Sequence, residues 1–155
     1  PDMRLVAWIF LILSPLSNAE SCLSIDESNY ADASKCTSAV QVKFQSSNLT
    51  HITLPNLATV TGNVEISSCT SLLSLELPSL QTANSFVLTD LSQLKNFSSI
   101  KLKELSGPLV VTNNTALHSF VITSLEQASA YTITDNPVLV KFFLGGVVPR
   151  ANAVF

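Results

Sequence analysis

Residues 72–83 read Leu-Leu-Ser-Leu-Glu-Leu-Pro-Ser-Leu-Gln-Thr-Ala, and residues 49–60 read Leu-Thr-His-Ile-Thr-Leu-Pro-Asn-Leu-Ala-Thr-Val. The two stretches lie 23 residues apart and carry apolar side chains at the same five positions, with a proline at the same seventh position. Residues 117–128 repeat the apolar positions without the proline, whereas the copy that begins at Leu94 slips out of register after Phe97. Apolar positions that match at a constant offset indicate a repeat protein, so the fold is predicted from the repeat before individual helices or strands are assigned.

The other half of each repeat is an alternating apolar pair, whose second member recurs at Ile66, Leu88, Val111 and Ile133. The spacings are 22, 23 and 22 residues, and alternation over three residues followed by a turn predicts short strands. One coil of this length cannot bury its own apolar face, so successive coils have to stack at the strand spacing of about 4.8 Å. We therefore predict an all-β chain, a right-handed parallel β-helix or leucine-rich-repeat-like solenoid with 22–23-residue coils over residues 42–144.

The first twenty residues have the features of a secretory signal peptide. Arg4 precedes the apolar run Leu5–Leu13, Pro15 ends it, and small side chains stand before a cleavage point after Ala19. This order predicts a signal peptide over residues 3–19. A helix of nine residues rises about 14 Å, too little to cross a hydrocarbon core of roughly 30 Å. A buried core helix is the alternative interpretation of the run.

Secretion into an oxidising compartment makes a disulfide the natural interpretation of the first two cysteines. Cys22 and Cys36 flank a polar segment, and closing a loop of this size contributes about 3 kcal/mol on the loop-entropy estimate. We therefore predict a disulfide-closed N-terminal cap over residues 20–41.

The third cysteine, Cys69, stands in line with Asn114 and Asn136, each three residues after the second strand position of its coil. At such a corner an inward-pointing side chain satisfies backbone groups that the bend leaves unpaired. We predict that these three residues form a corner ladder. A disulfide to a cysteine of another chain or of a missing segment, or a redox role, is the alternative for Cys69.

Three sequons predict N-glycosylation at Asn48, Asn96 and Asn113. Asn136 is followed by a proline and is not an acceptor. Asn113 falls one position before the corner ladder, where the side chain is expected to face solvent, as a glycan requires.

The composition leaves little room for catalysis. Only 12% of the 155 residues are charged and the net charge is −3, which excludes the basic footprint of a nucleic-acid-binding protein. His51 and His118 are expected at solvent-facing corners. Asp90 and Asp135 fall on equivalent corners two coils apart, a separation of about 10 Å that superficially matches an inverting glycosidase, but the repeat itself accounts for it. We predict no catalytic residues, no metal site and no cofactor.

Several phrases resemble a known family. After the segment between the first two cysteines come Ile-Thr-Leu-Pro-Asn-Leu-Ala-Thr-Val-Thr-Gly at 52–62, Leu-Glu-Leu-Pro-Ser-Leu at 75–80, Asn-Asn-Thr-Ala-Leu at 113–117 and Asp-Asn-Pro-Val-Leu at 135–139. Over residues 22–142 the chain resembles the receptor L-domain-like repeats of fungal Ecm33/Sps2-type cell-wall proteins. The resemblance implies a secreted, glycosylated, GPI-anchored protein that supports cell-wall organisation and integrity at the cell wall or the outer face of the plasma membrane.

The same resemblance implies cell-wall polysaccharide or cell-surface proteins as partners. It also supports an alternative function, a ligand-binding module that recognises a protein or a glycan, as the L domains of insulin and EGF receptors do. The chain departs from the family at its C-terminal end, because residues 145–155 follow no repeat pattern and contain no GPI-anchor signal. We interpret this segment as an irregular, truncated end, and the open last coil as prone to aggregation.

Overall fold

The structure, a computed structural model, describes residues 20–146 and the strand Ala153–Val154. It confirms the predicted fold class, because nearly all regular structure is β and parallel strands stack into a solenoid of about five turns with coils of about 22 residues. One short 3-10 helix, Tyr30–Lys35, lies in the cap. The predicted signal peptide lies outside the described residues. Within residues 20–146 no helix has the length and hydrophobicity needed to cross a bilayer.

Each full coil runs along three sides of the solenoid, which we call the front, the rear and the third side. The front strands are β1 (Glu20–Ile25), β2 (Cys36–Gln45), β5 (Asn63–Ser67), β8 (Ser85–Thr89), β11 (Leu109–Thr112), β13 (Tyr131–Thr134) and β15 (Ala153–Val154). The rear strands are β3 (His51–Thr53), β6 (Ser74–Glu76), β9 (Asn96–Ser99), β12 (Ser119–Ile122) and β14 (Lys141–Leu144). The third side carries β4 (Thr59–Val60), β7 (Thr82–Ala83) and β10 (Glu104–Leu105).

The register of the front sheet follows the alignment of the repeats. Ile66 pairs with Leu88, Leu88 with Val111, and Val111 with Ile133. All four side chains point inward and are buried. On the rear side Ile52 pairs with Leu75 in the same way. The matched apolar positions therefore form the columns of one continuous core, as the repeat requires.

The long strand β2 joins two sides of the solenoid. Its first half pairs with β4 on the third side and its second half pairs with β5 on the front, so the two sides form one ten-stranded sheet. On its outer edge β2 pairs with β1, which caps the first coil. At the other end β15 pairs with β13 at an offset of 22 residues, so a strand in repeat register follows β14 where the sequence showed no pattern.

A left-handed residue turns every coil from the front to the rear. Ser46, Ser68, Asp90, Asn113 and Asp135 occupy equivalent positions and have φ between 53° and 57°. Asn and Asp enter this region more readily than other side-chain-bearing residues, because a short polar side chain hydrogen bonds locally. The chain therefore turns this corner without using glycine.

Aromatic rings pack against one another in the core of the third, fourth and fifth coils. The ring centroids of Phe97 and Phe120 are 5.2 Å apart, those of Phe120 and Phe142 are 6.0 Å apart, and Phe86 lies 5.2 Å from Phe97. The neighbour of Phe142, Phe143, points outward and is 51% exposed. A stack of this kind stabilises adjacent coils beyond the effect of burial alone.

Candidate functional site

The cap is closed by a disulfide between Cys22 and Cys36, as predicted. Cys22 lies on β1 and Cys36 begins β2, with their Cα atoms 5.9 Å apart. Because β1 pairs parallel with β2, the bridge fixes the strand that covers the first coil. A structural disulfide of this kind is typical of proteins that fold in an oxidising compartment.

Tyr30 ties the cap to the first coil, a role that the sequence analysis missed. Its hydroxyl accepts a hydrogen bond from the amide of Thr53 at 2.7 Å and donates to the carbonyl of His51 at 3.3 Å. Its ring meets Phe44 edge-on, with the centroids 5.6 Å apart. The available signal was a single aromatic residue in an otherwise polar segment.

The two asparagines predicted as corner-ladder residues hydrogen bond to backbone groups of neighbouring coils. Asn114 is fully buried. Its side-chain nitrogen Nδ2 donates to the carbonyl oxygen of Leu88, and its side-chain oxygen Oδ1 accepts from the backbone amide of Leu91, both at 3.1 Å. Asn136 donates to the carbonyl of Val111 at 2.8 Å and accepts from both the amide and the side chain of Asn114. The two side chains thus link three successive coils.

Cys69 occupies the same inward column one coil before Leu91. Its thiol is buried and lies 3.3 Å from the carbonyl oxygen of Ser67 and 3.6 Å from that of Phe44. Burial raises the pKa of the Cys69 thiol, so the reactive thiolate is disfavoured and solvent has no access to the sulfur. This environment suits a structural cysteine.

The three sequon asparagines are exposed side chains. Asn48 and Asn113 lie where the chain passes from the front to the rear, and Asn113 donates a hydrogen bond to the carboxylate of Asp90. Asn96 begins strand β9 on the rear. The front strands and the third side therefore carry none of the three acceptors.

The outer surface of the front sheet, which we call the front face, changes character along the solenoid. At the N-terminal end Lys43 forms an ion pair with Glu65 at 3.8 Å. Further along, after the buried Ser85, the outward positions of β8, β11 and β13 hold valine and threonine: Val87, Thr89, Val110, Thr112, Thr132 and Thr134. The hydroxyl oxygens of Thr89 and Thr112 are hydrogen bonded at 3.0 Å. The strand spacing makes this half of the front face a regular array of β-branched side chains.

The histidines and the corner aspartates of the described region do not converge. His51 and His118 are exposed on the rear and lie in different coils. Asp90 and Asp135 lie two coils apart with Asn113 between them, as their registers require. Among residues 20–146, no three His, Cys, Asp or Glu side chains come close enough to hold a metal ion. Along the front-to-rear corner, polar side chains therefore recur once per coil, an arrangement suited to an extended surface.

Comparison of the chain with protein-family models, with curated proteins and with solved structures found no match. The function therefore has to be argued from the fold, the cap and the distribution of surface groups.

Proposed function

We propose that this protein is a secreted, N-glycosylated solenoid of the cell surface that supports cell-wall organisation and integrity without turning over a substrate. The observation that carries the proposal is a disulfide-closed cap on a solenoid whose three sequon asparagines are all exposed. The disulfide fits an oxidising compartment, and exposure is what an N-glycan requires. The signal-peptide pattern of residues 3–19 supports secretion.

The arrangement of polar groups supports a role without turnover. A hydrolytic site needs a general acid and a general base or nucleophile placed around one substrate bond. Among the described residues Asn113 lies between Asp90 and Asp135, and the exposed His51 and His118 lie on the rear in coils that are not adjacent. A rod that repeats similar surfaces every 22 residues suits contact with an extended partner such as a cell-wall polysaccharide, or with cell-surface proteins.

The resemblance to fungal cell-wall proteins supports the location at the cell wall or the outer face of the plasma membrane. In that family a GPI anchor holds the full-length protein to the membrane, and we propose the same attachment for a full-length form of this one.

A secretion and disruption experiment tests this proposal. The chain with its own N-terminus is expressed in a eukaryotic secretory host, and the product is analysed for its first residue, its disulfide and the occupancy of its sequons. We expect cleavage after Ala19, a Cys22–Cys36 bridge and glycans on the exposed asparagines. The gene is then disrupted in its own organism, and sensitivity to wall-binding dyes is measured. Retention of unmodified protein in the cytosol, or unchanged dye sensitivity, would contradict the proposal.

The front face supports a second candidate function, a ligand-binding module. This face carries no sequon and offers an uninterrupted valine and threonine array, so a partner can approach it without meeting a glycan. Val110→Arg places a bulky charge in the middle of the array, and Ser119→Arg on the rear is the matched control. A binding module predicts that Val110→Arg alone reduces retention of the protein on isolated cell walls. Equal retention of both variants would exclude the front face as the binding surface.

A further inference from the structure

The rear side of the solenoid is broken between the second and third coils. β3 pairs with β6, and β9 pairs with β12 and β14, but β6 and β9 belong to separate sheets. The same two coils pair on the front through β5 and β8, and on the third side through β7 and β10. The break is therefore confined to the rear.

Two changes in the third coil coincide with the break. The inward column passes from the aliphatic Leu75 to Phe97, the first rear-strand ring of the aromatic stack. At the next inward position Ser99 pairs with Ile122, so a serine stands where the other coils have a large apolar residue. The chain then slips, which leaves Ile100 64% exposed and buries Leu102.

Backbone groups of β6 and β9 face each other across the break, where the two strands form no ladder. In β6, the amide of Ser74 and the carbonyl of Glu76 bond to the first coil. In β9, the carbonyls of Lys95 and Ser99 accept from the fourth coil. Residues of a parallel strand alternate in the neighbour to which they direct their N–H and C=O groups. The backbone groups of Leu75 therefore face the break from one side, and those of Asn96 and Ser98 face it from the other.

The break opens to the surface as a groove of about 420 Å³. We call it the rear groove; its lining residues are Ser74, Leu75, Glu76, Leu77, Pro78, Asn96, Ser98 and Ile100. The lining combines apolar side chains with the polar backbone edges and a carboxylate. This volume falls within the range of small-ligand sites, and the mixed lining matches a sugar, which has apolar ring faces and a rim of hydroxyl groups.

We infer that the first sugars of an N-linked glycan on Asn96 occupy the rear groove and cover the open strand edges. This inference rests on the proposed glycosylation. Asn96 is both the sequon acceptor and a wall of the groove, so a covalent bond delivers the sugar to the site at a high effective concentration. Its acetamido and hydroxyl groups pair with the facing backbone groups, and its ring packs on Ile100 and Pro78.

The other two sequons provide internal controls. Asn48 and Asn113 lie at the front-to-rear passage of the chain, away from the groove lining. Their glycans are expected to extend into solvent. Only the glycan on Asn96 should therefore act on the stability of the folded chain through contact with the groove.

The test compares secreted variants that each lose one sequon. Ser98→Ala removes the Asn96 site, Ser98→Thr preserves it, and Thr50→Ala and Thr115→Ala remove the other two. Thermal unfolding and light scattering are measured after the glycans have been trimmed to single N-acetylglucosamines. We expect Ser98→Ala to lower the unfolding midpoint by about 2–4 °C, as the loss of one ordinary contact does in a chain of this length, and to aggregate earlier. Ser98→Thr should restore both properties, and the other variants should behave as the parent protein.

A variant with Asn96 as its single sequon, measured before and after complete enzymatic removal of the glycan, keeps the test decisive if Ser98→Ala does not fold. Equal midpoints with and without that glycan would overturn the inference. An unoccupied Asn96 beside occupied Asn48 and Asn113 would also overturn it, while leaving the proposed function intact. A secreted product with no glycan on any sequon would overturn both.

Discussion

Asn114→Ala tests whether the corner ladder stabilises the solenoid through hydrogen bonds between coils. The substitution removes the partners of two backbone groups, the amide of Leu91 and the carbonyl of Leu88. Each group left buried and unpaired costs about 1–3 kcal/mol. It also removes the bond to Asn136. The expected loss is about 3 kcal/mol of the free energy of unfolding, measured by urea denaturation followed by circular dichroism.

Asn84→Ala is the matched control, because Asn84 is exposed and its amide donates to the side chain of Asn63. An exposed substitution of this kind changes stability by no more than about 0.5 kcal/mol. The Asn113-x-Thr115 sequon survives Asn114→Ala, so glycosylation does not confuse the comparison. Asn136→Ala combined with Asn114→Ala should show a coupling of about 1 kcal/mol, since contacting residues are not additive. If Asn114→Ala lowered the free energy of unfolding by no more than Asn84→Ala does, the corner ladder would not stabilise the solenoid as argued.

Three further predictions concern the cap, the free thiol and one close backbone approach. Replacing both Cys22 and Cys36 by serine should lower the free energy of unfolding by about 3 kcal/mol, because the unfolded chain regains the freedom of its 14-residue loop. Reducing the disulfide of the parent protein should lower its urea midpoint to that of the double serine variant. Burial raises the pKa of the Cys69 thiol above its ordinary value of 9.0, so the thiol stays protonated to a higher pH in the folded state than in the unfolded state. The free energy of unfolding should therefore fall as the pH rises above about 9. Cys69→Ala should remove part of that fall, and a pH series of urea midpoints that is identical for both proteins would contradict this. Gly62→Ala should destabilise the protein by more than about 1 kcal/mol, because a Cβ there would meet the carbonyl oxygen of Val40 at 2.6 Å. Gly146→Ala is the control: a Cβ at Gly146 meets no atom within 4 Å, so the substitution should have little effect on the midpoint of thermal unfolding.

The front sheet could be predicted from the sequence because its inward-facing apolar residues recur at a nearly constant spacing. The pairs that end at Ile66, Leu88, Val111 and Ile133 set the offsets that the strand registers follow. A shift by one residue would turn each strand's apolar set outward, so the register is strongly specified. The Cys22–Cys36 bridge could be predicted because the predicted signal peptide implied an oxidising compartment, in which two cysteines at this spacing are expected to form a disulfide.

The rear groove could not be predicted, although its cause was visible as the slip after Phe97. A slip shows that one coil is irregular, but whether neighbouring strands still pair depends on the volume of the side chains inside. Here the large rings of the aromatic stack and the small side chain of Ser99 decide that β6 and β9 do not pair, and both act through packing between coils. The link made by Tyr30 was missed for a similar reason, since its partners lie more than twenty residues away in the sequence.

The separation of β6 from β9 has a mechanical consequence. Coils that pair on three sides resist bending in every direction, whereas the second and third coils are hydrogen bonded only on the front and the third side. A load that opens the rear therefore meets its lowest resistance at this cross-section. The rod therefore has a preferred plane of flexure at this cross-section, where the rear opens most readily.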